Sequence, residues 1–178
     1  MKHLVSEMPS HTRDREKWLR LKELPQQDSI QPHVRHVAEQ FWAIALLAPR
    51  ERRVVCFAQL VLALARDCVQ FASDTKRTGG EDIAGFTRPY ADPLEPLTRG
   101  ADDCDAKARL FVALCLSHRL PARMVPWWDP ASGDLQHVSA ELLIGSTWIP
   151  AETILSRARL GETFHSVPTE PNGVWRYA

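Results

Sequence analysis

The chain is short of cysteine, of excess charge and of long apolar runs, and each shortage excludes something. Four cysteines in 178 residues, Cys56, Cys68, Cys104 and Cys115, are too few for a disulfide scaffold. No two of them stand in a C-x-x-C pair, so neither a zinc ribbon nor a dithiol redox motif is encoded. That usage predicts free thiols in a reducing compartment, the cytoplasm. Lys plus Arg number 22 and Asp plus Glu number 22, which gives a formal net charge of zero. Without a basic excess there is no electrostatic footprint for nucleic acid or for an anionic membrane surface. The longest uncharged apolar-rich run, Val54 to Ala65, is about twelve residues, against the roughly twenty needed to cross a bilayer. Met1 to Ser10 hold no apolar run of the secretory type. Internal repeats and low-complexity tracts are missing as well. At roughly 150 residues per domain the length predicts one domain with extensions.

Apolar residues then organise the chain. Thr12 to Leu24 reads as a helix with Trp18, Leu21 and Leu24 on one side, ended by Pro25. It belongs to a charged arm, residues 1–31, that is either a peripheral helix or a docking arm for a protein partner. A second helix starts near Ser29 to Pro32, repeats Val34, Val37, Phe41 and Ala45 at helical spacing, and is broken by Pro49. A third is expected from Arg50 to Phe71. It is apolar nearly all round and so buried, with Cys56 and Cys68 as small core residues. From Ala72 to Arg99, Gly79, Gly80, Gly85, Pro89, Pro93 and Pro96 mark a long irregular connection. Past Gly161, Pro168 and Pro171 predict an irregular tail, residues 162–178.

The segment Arg99 to Arg123 carries chemistry. Gly100 permits a tight turn, and Asp102 or Asp103 can cap a helix. Cys104, Ala108, Phe111 and Cys115 follow at helical spacing, with Leu110 and Leu114 alongside, so Cys104 falls in the first turn of a buried amphipathic helix. A helix N-terminus favours a thiolate, whereas Asp103 and Asp105 oppose it, so a nucleophile here needs a cationic partner. Histidine is the usual one. Cys115, three turns on, reads as core.

Downstream, Val138, Ala140, Leu142 and Ile144 alternate with polar or mixed residues, which is strand periodicity. Gly145-Ser146 predicts a two-residue hairpin with glycine first, followed by a strand over Thr147 to Thr153. In that register Ile144 opposes Thr147, and His137 and Glu152 become diagonal neighbours on one face, within reach of each other. A glutamate there can hold one imidazole nitrogen and leave the other for a thiol. His33 and His36 lie on a helix with no acid arranged to orient them. His118 falls at the end of the cysteine helix, where the dipole favours a cation. His3, His11 and His165 read as solvated. No metal-ligand spacing is present, so neither a metal nor another cofactor is expected.

The blocks D-D-C-D-A-K-A-R-L-F-V-A-L, L-P-A-R, and H-V-x-x-E-L with W-I-P-A-E-T resemble the transglutaminase-like superfamily, a branch of the papain-like cysteine enzymes. They occur in the expected order between about Leu94 and Gly161, and the form resembles small stand-alone members of bacteria and their phages. The resemblance implies an α+β fold over residues 32–161, with N-terminal helices and the cysteine helix packed on one face of a small antiparallel sheet. Its strands fall near Arg123–Trp127, Gln136–Ile144 and Thr147–Thr153. It implies Cys104 as nucleophile, His137 as base and Glu152 as orienting acid. Two departures stand out: Glu152 replaces the usual Asp, and Ala106 replaces a frequent second Asp after D-C-D. The implied activity is a cysteine protease or amidase working through a thioester on a peptide or protein substrate. A non-catalytic binding or structural protein, of the kind found in phage-like particles, and an acyltransferase or cross-linker stay open. Trp127, Trp128 and Trp148 flank the site strands and either wall a substrate groove or pack the core.

Overall fold

The computed structural model describes residues 10–72 and 92–163, with side chains from 14 onward. Helices α1 (Ser10–Leu21), α2 (Leu24–Ser29), α3 (Pro32–Ala45) and α4 (Arg53–Asp67) come first, α4 entered through a 3-10 turn at Arg50–Arg52. Strand β1 (Gln70–Phe71), helix α5 (Glu95–Arg99) and strand β2 (Ala101–Asp102) precede helix α6 (Cys104–Ser117). Strands β3 (Ala122–Trp128), β4 (Leu135–Ile144) and β5 (Thr147–Ala151) follow. They form an antiparallel sheet in the order β3-β4-β5, while β1 and β2 pair in parallel as a separate two-stranded sheet. Helices segregated to one side of an antiparallel sheet make the architecture α+β.

Helix α6 is the centre. The sheet covers one side of it through Val138, Ala140 and Leu142, the buried apolar residues of β4. Helices α2, α3 and α4 cover the other. Every residue from Lys107 to Cys115 is therefore buried, and α6 is enclosed all round rather than amphipathic. Two charged side chains go down with it. Arg109 Nε and Nη2 donate to Asp28 of α2 at 2.6 and 2.8 Å, a two-pronged buried ion pair. Lys107 Nζ donates to the Val69 and Arg66 carbonyls at 2.5 and 3.1 Å, at the exit of α4.

The hairpin forms as its sequence dictates. Gly145 has φ +63° and Ser146 is not left-handed, so glycine occupies the position where only it is unstrained. Ile144 pairs with Thr147 and Ala140 with Ala151. Strand β5 ends at Ala151, two residues short of the expected Thr153. On β4 an extra residue, Gln136, is squeezed out between the pairs Trp127–His137 and Trp128–Leu135. A bulge of this kind re-aims the side chains next to it.

Several expectations are corrected. Pro25 does not simply end α1. It stands in the first turn of α2, where a missing N–H costs nothing. Helix α4 stops at Asp67, because Gln70 and Phe71 are recruited by β2, and Cys68 is left exposed rather than in the core. Cys56 is only half-buried. Val55 is exposed too, so α4 has a wet side. Part of the segment expected to be irregular is helix α5, with Pro96 buried in its first turn and Gly100, at φ +75°, ending it. His33 does meet an acid: its Nε2 lies 2.8 Å from Asp92 Oδ2. His118 packs in a three-ring cluster, tilted against Trp42 and edge-to-face with Phe57, and burial lowers its pKa, so the dipole does not hold it as a cation. The remaining readings for the loop, for His3, the His11 side chain and His165, and for the tail beyond residue 163 lie outside the described residues.

Candidate active site

Cys104 is the first residue of α6. Asp103 caps the helix, its Oδ1 accepting from the Ala106 N–H at 3.1 Å, so the thiol stands in the first turn. The thiol meets β4 at a point fixed by sheet geometry. The Leu143 N–H donates to the carbonyl of Pro121, the residue just before β3, so even-numbered residues of β4 turn their N–H toward β5. Strand β5 has finished by Val138, and there the Val138 main chain hydrogen-bonds the Cys104 sulfur instead. The nucleophile candidate thus sits against the residue next to His137.

His137 projects from β4 beside the bulge. Its Nε2 lies 3.0 Å from Glu152 Oε2, and both side chains are largely buried. Glu152 leaves the end of β5, and its Oε1 accepts the Ile154 N–H at 3.1 Å. The carboxylate engages Nε2, so Nδ1 is the ring nitrogen that Glu152 does not hold.

The electrostatics favour a neutral thiol at rest. Burial pushes the Cys104 pKa well up, and the nearby carboxylates of Asp105 and Asp103 push it further. The Val138 hydrogen bond and the Lys17 ammonium act the other way but do not prevail. Burial would also raise Asp105, yet hydrogen bonding with Asp103, the Lys17 ammonium 3.1 Å away and the Ala106 N–H together hold it below the usual carboxylate range. Lys17 comes from α1. One turn earlier on that helix, Asp14 accepts the Leu135 N–H at 2.8 Å. Helix α1 therefore touches both the cysteine end of α6 and the start of the histidine strand.

Of the three tryptophans, Trp127 pairs directly across from His137 and donates its indole N–H to Ser139 Oγ at 2.9 Å. Trp128 lies just past the bulge, opposite Leu135. Trp148 is not brought to this end. It pairs with Leu143, six positions along β4 from His137, and Arg123 stacks on its ring at 4.1 Å. Lys107 was not singled out in the sequence, where Asp105 and Arg109 flank it and make the segment read as polar on one side; lysine is almost never fully buried without partners.

Among the described residues no group of three or more His, Cys, Asp or Glu side chains is placed to hold a metal ion. No helix among them is long and apolar enough to cross a membrane. The sequence profile of the transglutaminase-like superfamily matches residues 56–153, more than half of the chain. No curated protein and no solved structure matches it.

Proposed function

Since the chain belongs to the transglutaminase-like superfamily, we propose that it is a cysteine hydrolase of peptide or amide bonds. The reading rests on one observation: His137 is oriented by Glu152 at 3.0 Å beside the β4 residue that contacts the Cys104 sulfur. His137 Nδ1 takes the thiol proton as Cys104 Sγ attacks the carbonyl carbon of the substrate. Because the resting thiol is neutral, transfer and attack go together. The developing oxyanion is stabilised by main-chain donors at the start of α6. The imidazolium returns the proton to the departing amine, which leaves a thioester on Cys104. Water, deprotonated by His137, cleaves the thioester and restores the thiol. Glu152 stabilises the imidazolium and fixes the ring, without itself taking the proton. Trp127 and Trp128 wall the groove for a peptide or protein substrate. Free thiols at Cys56, Cys68, Cys104 and Cys115 fit a cytoplasmic protein.

The carboxylates around the thiol favour a second reading, in which the fold serves binding or assembly and the cysteine is inert. p-Nitrophenyl acetate separates the two, since it needs no specific groove. The hydrolase reading predicts acetylation of Cys104 faster than of exposed Cys68, mapped by mass spectrometry. His137→Ala should slow it at least 100-fold. Equal slow acetylation of both thiols, unaffected by that substitution, favours the inert reading. Accumulation of an amine adduct in the presence of a lysine analogue, in place of free acetate, would assign acyl transfer.

A further inference from the structure

The Cys104 sulfur is packed against the Val138 main chain, and the His137 and Glu152 side chains are 12% and 1% exposed. A chain-sized substrate reaches a thiol and an imidazole so covered only if an element of the fold moves. The cover lies along one edge of β4. Strand β5 ends at Ala151, opposite Ala140, so Leu135 to Ser139 have no strand on that side among the described residues. The Asp129 N–H donates to the Asp134 carbonyl, so the next pair, Trp128–Leu135, is a non-hydrogen-bonded one, and the Leu135 N–H turns away from β3. The bulge at Gln136 thus brings the Leu135 N–H to the same open edge as Val138. Cys104 meets that edge at Val138, and Asp14 of α1 accepts the Leu135 N–H at 2.8 Å. Asp14 stands where the carbonyl of an added, extended strand would stand.

We propose that α1 is a lid on the active site: Asp14 occupies the edge donor of β4 that the main chain of an extended polypeptide substrate would use, and Lys17 latches the helix to Asp105 beside Cys104. The inference rests on the hydrolase reading of Cys104 and His137. Asp14, Lys17, Trp18 and Leu21 recur at helical spacing and share one face of α1. That face has two halves. Leu21 is buried and Trp18 packs on the core, so apolar contact anchors the C-terminal half. Asp14 and Lys17 tie the other half by polar contacts, which water can replace. Lys17 Nζ lies 3.1 Å from Asp105 Oδ2, with the two side chains 18% and 12% exposed. One tie goes to the helix of the nucleophile and the other to the strand of the base, so α1 bridges the two elements between which a substrate must enter. Pivoting on Trp18 and Leu21, its first turns can leave the β4 edge without unpacking the core.

The test compares two reagents with the same reacting group, N-ethylmaleimide and a maleimide carried on a long polyethylene glycol chain. Labelling of Cys104 in the full chain is mapped by mass spectrometry. Because both reagents need the same thiolate, the ratio of their rates cancels any change in its pKa and reads access alone. In Asp14→Ala/Lys17→Ala the bulky-to-small ratio at Cys104 should rise about 10-fold or more over wild type, with no change at exposed Cys68. No rise at Cys104, or an equal rise at both thiols, overturns the proposal. If the double variant does not fold, hydrogen exchange of the wild type by NMR decides. The α1 and Leu135 amides should then exchange about 100-fold or more faster than those of α6, and exchange in step with α6 overturns the proposal, since α1 would open only with the whole fold. Neither readout needs a substrate. Absence of selective acetylation at Cys104 sinks the hydrolase reading, whereas an unmoved ratio sinks only the lid.

Discussion

Asp103 does two opposed things at the thiol. Its carboxylate caps α6, and the same charge raises the Cys104 pKa. The two can be separated, because asparagine caps about as well as aspartate. Asp103→Asn should leave stability within about 0.5 kcal/mol by urea unfolding while lowering the thiol titration midpoint, followed by absorbance at 240 nm. Asp103→Ala should lower the midpoint and also cost about 1 kcal/mol. An unchanged midpoint in both variants would mean that the local charge does not reach the sulfur. The acid is tested in the same way. Glu152→Gln keeps the size and one hydrogen bond but cannot stabilise an imidazolium, so acetylation of Cys104 should fall by about 10- to 100-fold at pH 7. At this scale the sequence was informative where local rules are strict. A cap residue places Cys104, and a glycine-first turn fixes which residue Glu152 approaches. Lys107 escaped because its meaning depends on partners 41 and 38 residues away, at Arg66 and Val69. Trp148 misled because proximity to the site strands in sequence says nothing about which end of a strand a side chain occupies.

Between elements, Asp28 and Arg109 form a buried two-pronged ion pair. It fastens α2 to the helix that carries the nucleophile, with both side chains less than one-tenth exposed. Such pairs are asymmetric: losing one member strands a buried charge, whereas replacing both with apolar residues can be nearly neutral. Arg109→Met should therefore destabilise by about 3–5 kcal/mol, measured by urea unfolding. Asp28→Leu combined with Arg109→Met should recover most of that loss. If the double variant is as unstable as the single, the pair's worth lies in packing rather than charge. Element boundaries were legible where apolar spacing is unbroken, as in α3 and β4. They were misjudged where tertiary pairing overrides it. Helix α4 gives up Gln70 and Phe71 because β2 offers them main-chain partners. The stretch containing Pro96 becomes helix α5 because proline is tolerated in a first turn.

The whole molecule responds to pH through groups whose burial sets them against solvent. Lys107 is lowered from 10.5 to about 8, so between those values the unfolded chain binds more protons than the fold, and stability rises with pH across that window. Cys104 and Cys115 are raised from 9.0, both chiefly by burial, so above that value the unfolded chain has shed protons that the fold retains. Each thiol then removes stability as pH rises, by about 1.4 kcal/mol per unit beyond its ordinary value. One lysine gaining over pH 8–10 therefore nearly balances two thiols losing above 9. The wild-type unfolding free energy should stay level within about 1 kcal/mol from pH 7 to 10. Lys107→Met removes the rising contribution only, so its stability should fall by about 3 kcal/mol over the same range. On the acid side, burial lowers the pKa of His118, packed against Trp42 and Phe57. The unfolded chain then takes up a proton first, and stability declines as pH drops below 6.5 toward the folded value. Urea titrations of both proteins from pH 5 to 10 read all three contributions. Parallel curves for wild type and Lys107→Met above pH 8 would show that the buried lysine titrates no differently in the fold than in the unfolded chain, and would remove the balance argued for it.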